Sequence, residues 1–228
     1  MKTTFILFVF LISFSSIAQM TDTKPMISVV GESTLKVIPD YVIIKVRVEE
    51  IAKTAAEAKK RHDISVNTVI KFLRKMKIDS KDIATQYLNL NKVYDYSTKE
   101  YNFTANQSID IVLKDLTKYE NLIQGLLESG INRIDGIQFA STEIEKHQSN
   151  ARKLAIQNAQ LKALEYVGEL RQTIGKAIHI SEINVATYPV YNTKMMMNEA
   201  VTAFSGTETI AIGEIVIYGK VNVSFELK

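Results

Sequence analysis

Apolar and polar positions alternate most clearly in two stretches of the chain. In Tyr41–Glu50, Val42, Ile44, Val46 and Val48 fall on one side of a period-two pattern, and Ile43, Lys45 and Arg47 on the other. That is the pattern of a strand with one buried face. At the far end, Val221, Val223 and Phe225 alternate with Asn222, Ser224 and Glu226 in the same way. Ile27–Val30 and Val37-Ile38 predict further strand ahead of the first pattern, separated from it by Pro39-Asp40. Proline presets φ for a turn and aspartate can hydrogen-bond the backbone beyond it, so a strand corner is expected there. Ile83–Val93 and Tyr101–Leu113 predict two strands joined by a polar turn at Asp95–Lys99; Ile131–Phe139 and Ala177–Ala186 predict two more. The last run, from about Ile210 to Leu227, reads as a strand bending near Gly213 or Gly219.

Between these runs the period changes to that of a helix. Thr54-Ala55-Ala56-Glu57 has the capping-box spacing, and Val66, Val69, Ile70, Leu73 and Met76 then recur on one helical face up to about Lys77. Thr117-Lys118-Tyr119-Glu120 repeats that spacing ahead of Leu122, Ile123, Leu126 and Leu127, and Gly130 suits the left-handed position that closes a helix. The third helix is predicted from about Glu145 to Gln172. Ala151, Ala155, Ala159 and Ala163 stand at every fourth position, joined by Leu154, Leu161, Val167 and Leu170, and Gly175 is expected to stop it. A column of alanines lets a helix lie close against a sheet or another helix. The ends "KFLRKMKI" and "GLLESGI" are weakly alike, each feeding a strand through an apolar residue. Tyr101–Phe139 has the order strand, helix, strand. Thr187–Thr207 shows no period and contains Pro189, Tyr191, Met195-Met196-Met197 and Gly206, which predicts a long loop. Strands outnumber helices and mostly follow one another directly, so the expected class is α+β with largely antiparallel sheet and about three helices.

The start of the chain changes the picture. Lys2 is followed by the apolar run FILFVFLISF at Phe5–Phe14, and Ser16-Ile17-Ala18 offers small residues at the positions a signal peptidase needs. Residues 1–18 therefore read as a secretory signal peptide, too short in its core to span a membrane, with residues 19–26 as a polar leader. The mature chain of 210 out of 228 residues is expected to form one domain over 27–228, with room for two subdomains. No other stretch approaches the length of a transmembrane span.

Composition then narrows the chemistry. Without Lys2 the chain carries 27 basic and 25 acidic residues, a balance that gives no reason to propose nucleic acid as a partner. The local clusters Lys59-Lys60-Arg61 and Arg74-Lys75-Met76-Lys77 fall on a predicted helix and read as a solvated face. There is no cysteine, which removes disulfides, thiolate metal sites and a cysteine nucleophile together. His62, His147 and His179 stand apart, none with a second ligand at metal-binding spacing. The single Gly31 in Gly31-Glu32-Ser33 makes neither a phosphate loop nor a dinucleotide fingerprint. Glu49 with Glu50, and Glu143 with Glu145, are candidate acid–base pairs that nothing in the sequence marks out from ordinary surface acids. Asn102-Phe103-Thr104, Asn106-Gln107-Ser108 and Asn222-Val223-Ser224 match a glycan acceptor pattern but fall in predicted strands. The sharpest oddity is Met195-Met196-Met197: thioether sulfur suits Cu(I), so a small-ligand or soft-metal site is one reading, and an adaptable apolar contact with a neighbouring subunit is the other, preferred one. No cofactor and no catalytic activity are expected.

The succession "ISVVGESTLKVIPDYVIIKVRVE", "TAAEAKKRHDISVNTVIKFLRKMKIDSKDIATQYLNL", "YNFTANQSIDIVLKDLTKYENLIQGLLESGINRIDGIQF" and "IAIGEIVIYGKVNVSFEL" resembles the SIMPL-domain family of exported bacterial proteins. The likeness runs from about Ile27 to Leu227 and lies in order and spacing more than in any one motif. Ser33 stands where members often show a second glycine, and Ile212 where a proline commonly precedes the glycine matched by Gly213. The resemblance implies a soluble or peripherally attached protein of the periplasm or cell envelope, assembly into homo-oligomers, and for some members a link to oxidative-stress defence. It supplies no catalytic or binding residues.

Overall fold

A computed structural model of the chain describes residues 24–184 and 212–228. Among them are eight strands and three helices: β1 (Met26–Val37), β2 (Tyr41–Ala52), α1 (Ala55–Lys75), β3 (Ile83–Thr85), β4 (Asn89–Asp95), β5 (Glu100–Leu113), α2 (Tyr119–Glu128), β6 (Arg133–Ala140), α3 (Ile144–Glu169), β7 (Ile174–Glu182) and β8 (Ile215–Leu227). The class is α+β, as the periods predict. The expected signal peptide, the loop at 187–207 and Met195, Met196 and Met197 lie outside the described residues.

The strands form two sheets. In the smaller one the order is β1-β8-β7, with both pairings antiparallel. In the larger, β3 and β4 both pair with β5, and β5-β2-β6 completes the sheet, again antiparallel throughout. Since β5 and β6 each run opposite to β2, they are parallel to one another. The strand–helix–strand unit is therefore a split one, in which α2 carries the chain across β2.

Burial follows the alternation. Val42, Ile44, Val46 and Val48 of β2 are fully enclosed, with Ile109 and Ile111 of β5 beside them. They meet Val69 and Leu73 of α1 and Leu122 and Leu126 of α2 in one core. A second core joins Val29, Val221, Val223 and Phe225 of the smaller sheet to Ala155, Ala159 and Ala163 of α3. Leu35, Val37, Ile144, Ala151, Ile215 and Ile217 form a third cluster where β1 and β8 meet the start of α3.

Several boundaries differ from expectation. β1 is one strand of 12 residues rather than two short runs, because its ladder with β8 continues unbroken through Gly31 from Met26 to Val37. β8 passes straight through Gly219; the left-handed glycine is Gly213 (φ 69°), just before the strand. Thr54 caps α1 as predicted, accepting from the Glu57 N–H at 3.2 Å. Thr117 does not cap α2: Asp115 accepts from the Thr117 N–H at 3.3 Å and its hydroxyl at 2.5 Å, opening a 3-10 turn at Leu116–Lys118 that runs into the helix. Gly175 does not stop α3, since it lies within β7.

All three helices end in the same way. The residue after each cap is left-handed: Lys77 (φ 62°), Gly130 (φ 101°) and Arg171 (φ 57°). The next N–H then reaches back five residues, from Ile78 to Leu73 O, Ile131 to Leu126 O and Gln172 to Val167 O. This is the Schellman closure. It explains the likeness between "KFLRKMKI" and "GLLESGI", each an apolar residue following a left-handed one.

Candidate functional site

The junction between the two sheets is built on Pro39-Asp40. Pro39 is buried and Asp40 exposed. The Asp40 N–H donates to Ala140 O at 3.0 Å, while its carboxylate accepts from the Thr142 N–H at 2.9 Å and the Thr142 hydroxyl at 2.6 Å. The corner between β1 and β2 is thereby tied to the end of β6 and the entry to α3. Desolvation pushes the Asp40 carboxyl up, but the bonds from Thr142, from its own N–H and from Ser141 outweigh it and hold the pKa below the ordinary range.

Two clefts flank this tie. One, of about 680 Å³, lies between the end of β1 and α3 and is lined by Leu35, Val37, Ile38, His147, Asn150 and Leu154 among others. The other, of about 720 Å³, is lined by Tyr41, Ile43, Val112, Lys114, Thr142 and Glu145 among others. Three of its charged groups are engaged: Lys114 pairs with Asp82 at 2.6 Å, and Lys146 with Glu143 at 2.9 Å.

The outer face of the larger sheet holds a cluster that sequence reasoning missed. A bulge in the pairing of β6 with β2 brings in Asp135, whose side chain is 9% exposed. Arg47 donates to it through Nε at 3.0 Å and approaches through Nη2 at 2.9 Å, and Arg133 Nε lies 2.9 Å from its other oxygen. With a guanidinium group against each of its oxygens, Asp135 reads as part of a structural brace. The only sequence signal was Arg47 on the polar side of β2.

The candidate pairs do not come together as acid and base. Glu49 and Glu50 are neighbours in β2 and point to opposite faces: the Glu49 N–H is met by Asn132, whereas the Glu50 carboxylate accepts from Ser65 of α1 at 2.7 Å. Glu143 precedes α3 and holds Lys146, and Glu145 is exposed on the first turn. Of the histidines, His62 is enclosed in α1 at 2% exposure, His147 lines the first cleft and His179 is exposed on β7. Neither ring nitrogen of His62 has a hydrogen-bond partner; Nδ1 stands 3.6 Å from Asp63, beyond reach of a bond. Among the described residues no three histidine or acidic side chains are grouped to hold a metal. The clusters at Lys59–Arg61 lie on the solvated face of α1, with Lys59 paired to Asp63 and Arg61 to Glu57. The three glycan-like triplets fall in β5 and β8.

What distinguishes the surface is apolar. Leu154, Leu161 and Leu170, expected to join the alanine stripe of α3, are exposed, and Leu164 and Tyr166 are exposed with them. Only Val167 of the expected group is buried. On β7, Ile178 and Ile180 are 41% and 56% exposed. The amide edge of β1 is covered by α3, where Asn158 accepts from the Glu32 N–H at 3.0 Å and Lys162 donates to Val30 O at 2.9 Å.

Residues 27–225 match the family model SIMPL, described as "Protein of unknown function (DUF541)". The chain is similar to the "Uncharacterized protein YggE" of Escherichia coli (strain K12), at 28% identity over 207 residues that cover 90% of this chain and 84% of that one. It is also similar to the "26 kDa periplasmic immunogenic protein" of Brucella melitensis, at 25% identity over 225 residues, 95% of this chain and 90% of the relative.

Proposed function

The chain belongs to the SIMPL family, and on that premise we propose that it is an exported, non-enzymatic protein of the periplasm or cell envelope that works by homo-oligomeric assembly. The observation that carries assembly is the exposed apolar surface, with Leu161, Leu164 and Tyr166 of α3, Leu170 at its C-terminal cap, and Ile178 and Ile180 of β7 all exposed. Single exposed leucines are ordinary, whereas a helix and a strand that both present them have the character of an interface. Export is supported by the apolar N-terminal run and by the periplasmic name of the Brucella relative. No described helix is long and apolar enough to cross a membrane. A part in envelope stress defence follows from the family likeness and would show as poorer survival of a deletion strain under peroxide.

Size-exclusion chromatography with light scattering on the mature chain tests assembly. A defined oligomer at micromolar concentration is the expected result, and a strict monomer would overturn the reading.

A further inference from the structure

The seam between β1 and α3 is closed at one end and open at the other. At Val30 and Glu32 it is closed, where Lys162 donates to Val30 O at 2.9 Å and Asn158 accepts from the Glu32 N–H at 3.0 Å. At Leu35–Ile38 it widens into the cleft of about 680 Å³. Small-molecule sites typically enclose roughly 300–1,000 Å³, so the cleft has the size of one. Leu35 and Val37 are half-buried against Ala151, Ile215 and Ile217, and this packing fixes the floor.

The two walls differ in chemistry. The β1 wall presents Leu35, Val37 and Ile38, the last of them 77% exposed. The α3 wall presents His147, Asn150, Lys153, Leu154 and Gln157, which recur at three- and four-residue spacing and so share one side of the helix. Among the described residues Lys36 and Lys153 line the cleft and no acidic side chain does. Glu214 pairs with Lys36 at 3.0 Å, whereas Lys153 is in no ion pair among the described residues.

We propose that this cleft binds a small amphiphile, an unbranched apolar chain ending in one carboxylate, as in a medium-chain fatty acid. The chain covers Leu35, Val37, Ile38 and Leu154, and removing Ile38 and Leu154 from water is the apolar part of the binding energy. The carboxylate meets the Lys153 ammonium in a charge-assisted bond, with the amides of Asn150 and Gln157 on the same wall as further donors. One lysine with no acid beside it matches a monoanion: a neutral chain leaves the ammonium without a counter-charge, and a cationic one is repelled. Ile38, Lys153 and Leu154 all lie outside the surface assigned to assembly, so a bound amphiphile is compatible with an oligomer.

The test is isothermal titration calorimetry of the mature chain with decanoate, below its micelle-forming concentration, and with decan-1-ol as the neutral counterpart. Wild type, Lys153→Glu, Ile38→Ser and Lys60→Glu are compared, with circular dichroism confirming that each is folded. Saturable decanoate binding is expected in the wild type, and decan-1-ol should bind at least about tenfold more weakly. Lys153→Glu should weaken decanoate binding at least about tenfold, whereas Lys60→Glu, the same charge change on the solvated face of α1, should leave it unaltered. Ile38→Ser should weaken both ligands, since it removes apolar contact and no charge. A wild type that does not bind decanoate overturns the proposal. Equal decanoate affinity in wild type, Lys153→Glu and Ile38→Ser overturns it by placing the bound molecule elsewhere, and decan-1-ol binding as tightly as decanoate overturns the carboxylate assignment. Binding to phosphatidylglycerol vesicles without binding to free decanoate assigns this face to a membrane surface and overturns it equally.

Discussion

Gly31 of β1 lies directly beneath Ala155 of α3. A Cβ placed on Gly31 would stand 2.0 Å from the Ala155 carbonyl oxygen and 2.7 Å from the Ala159 Cβ. One on Gly219 of β8 would stand 2.4 Å from Ala151 O, the atom to which the Ser33 hydroxyl donates at 2.7 Å. Two glycines on neighbouring strands and an alanine column on the helix thus set how closely α3 lies on the sheet. Backbone is the obstacle in both cases and cannot step aside as a flexible side chain could. Gly31→Ala and Gly219→Ala should each lower stability by about 2–3 kcal/mol, read as a lower urea midpoint. Gly168→Ala, at a position with no atom within 4 Å of the added carbon, should instead raise it by about 0.5 kcal/mol. Equal effects at all three would refute the close-contact account.

Lys77 and Arg171 hold the left-handed position that Gly130 fills in α2. Their side chains crowd the backbone there, and glycine relieves the strain at some cost in chain entropy. Lys77→Gly and Arg171→Gly should each raise the thermal midpoint, by about 0.5–1 kcal/mol of stability, whereas Gly130→Ala should lower it. Calorimetry on the three variants decides the matter through the sign of each change.

His62 is enclosed with both ring nitrogens unpaired. A buried polar group without a partner destabilises the fold by about 1–3 kcal/mol relative to an apolar group of similar shape. His62→Leu should therefore stabilise the protein by about 1 kcal/mol in denaturant unfolding. A clear loss of stability would mean that the imidazole makes a contact this packing does not show.

The depressed carboxylates make stability depend on pH. Asp95 accepts from the hydroxyl and N–H of Ser97 in the β4–β5 turn, which lowers its pKa from 3.8 to about 2. Asp40 is lowered too, its bonds with Thr142 prevailing over desolvation. A folded pKa below the unfolded value gives stability that is present above the unfolded pKa and lost as pH falls through the folded one. The unfolding midpoint should hold steady above about pH 5 and drop between about pH 4 and pH 2. Asp40→Asn and Asp95→Asn should each flatten that drop, and an unchanged profile in both would assign it to other acids.

Much of this architecture was legible along the chain. The alternation in β2 identified Val42, Ile44, Val46 and Val48 as buried, and Thr54 as the cap of α1, because period and capping are local properties. Gly130 could be placed for the same reason. Where local signals competed, the reading slipped. Thr117 had the capping spacing but Asp115 reached the free amides first, and Gly175 looked like a stop although the chain had already turned at Arg171. The helical period groups the leucines of α3 with its alanine stripe because it cannot tell a buried flank from an exposed one.

By itself the sequence determined which segments are strands and helices, where the alanine column lies and that the family is SIMPL, since each of these is carried by residue order. Tertiary structure alone decided that Gly31 is a packing position under Ala155. It also decided that Asp40 holds the corner of two sheets through Thr142, some hundred residues away. Such facts depend on which backbones approach one another across long loops, and no local period encodes that.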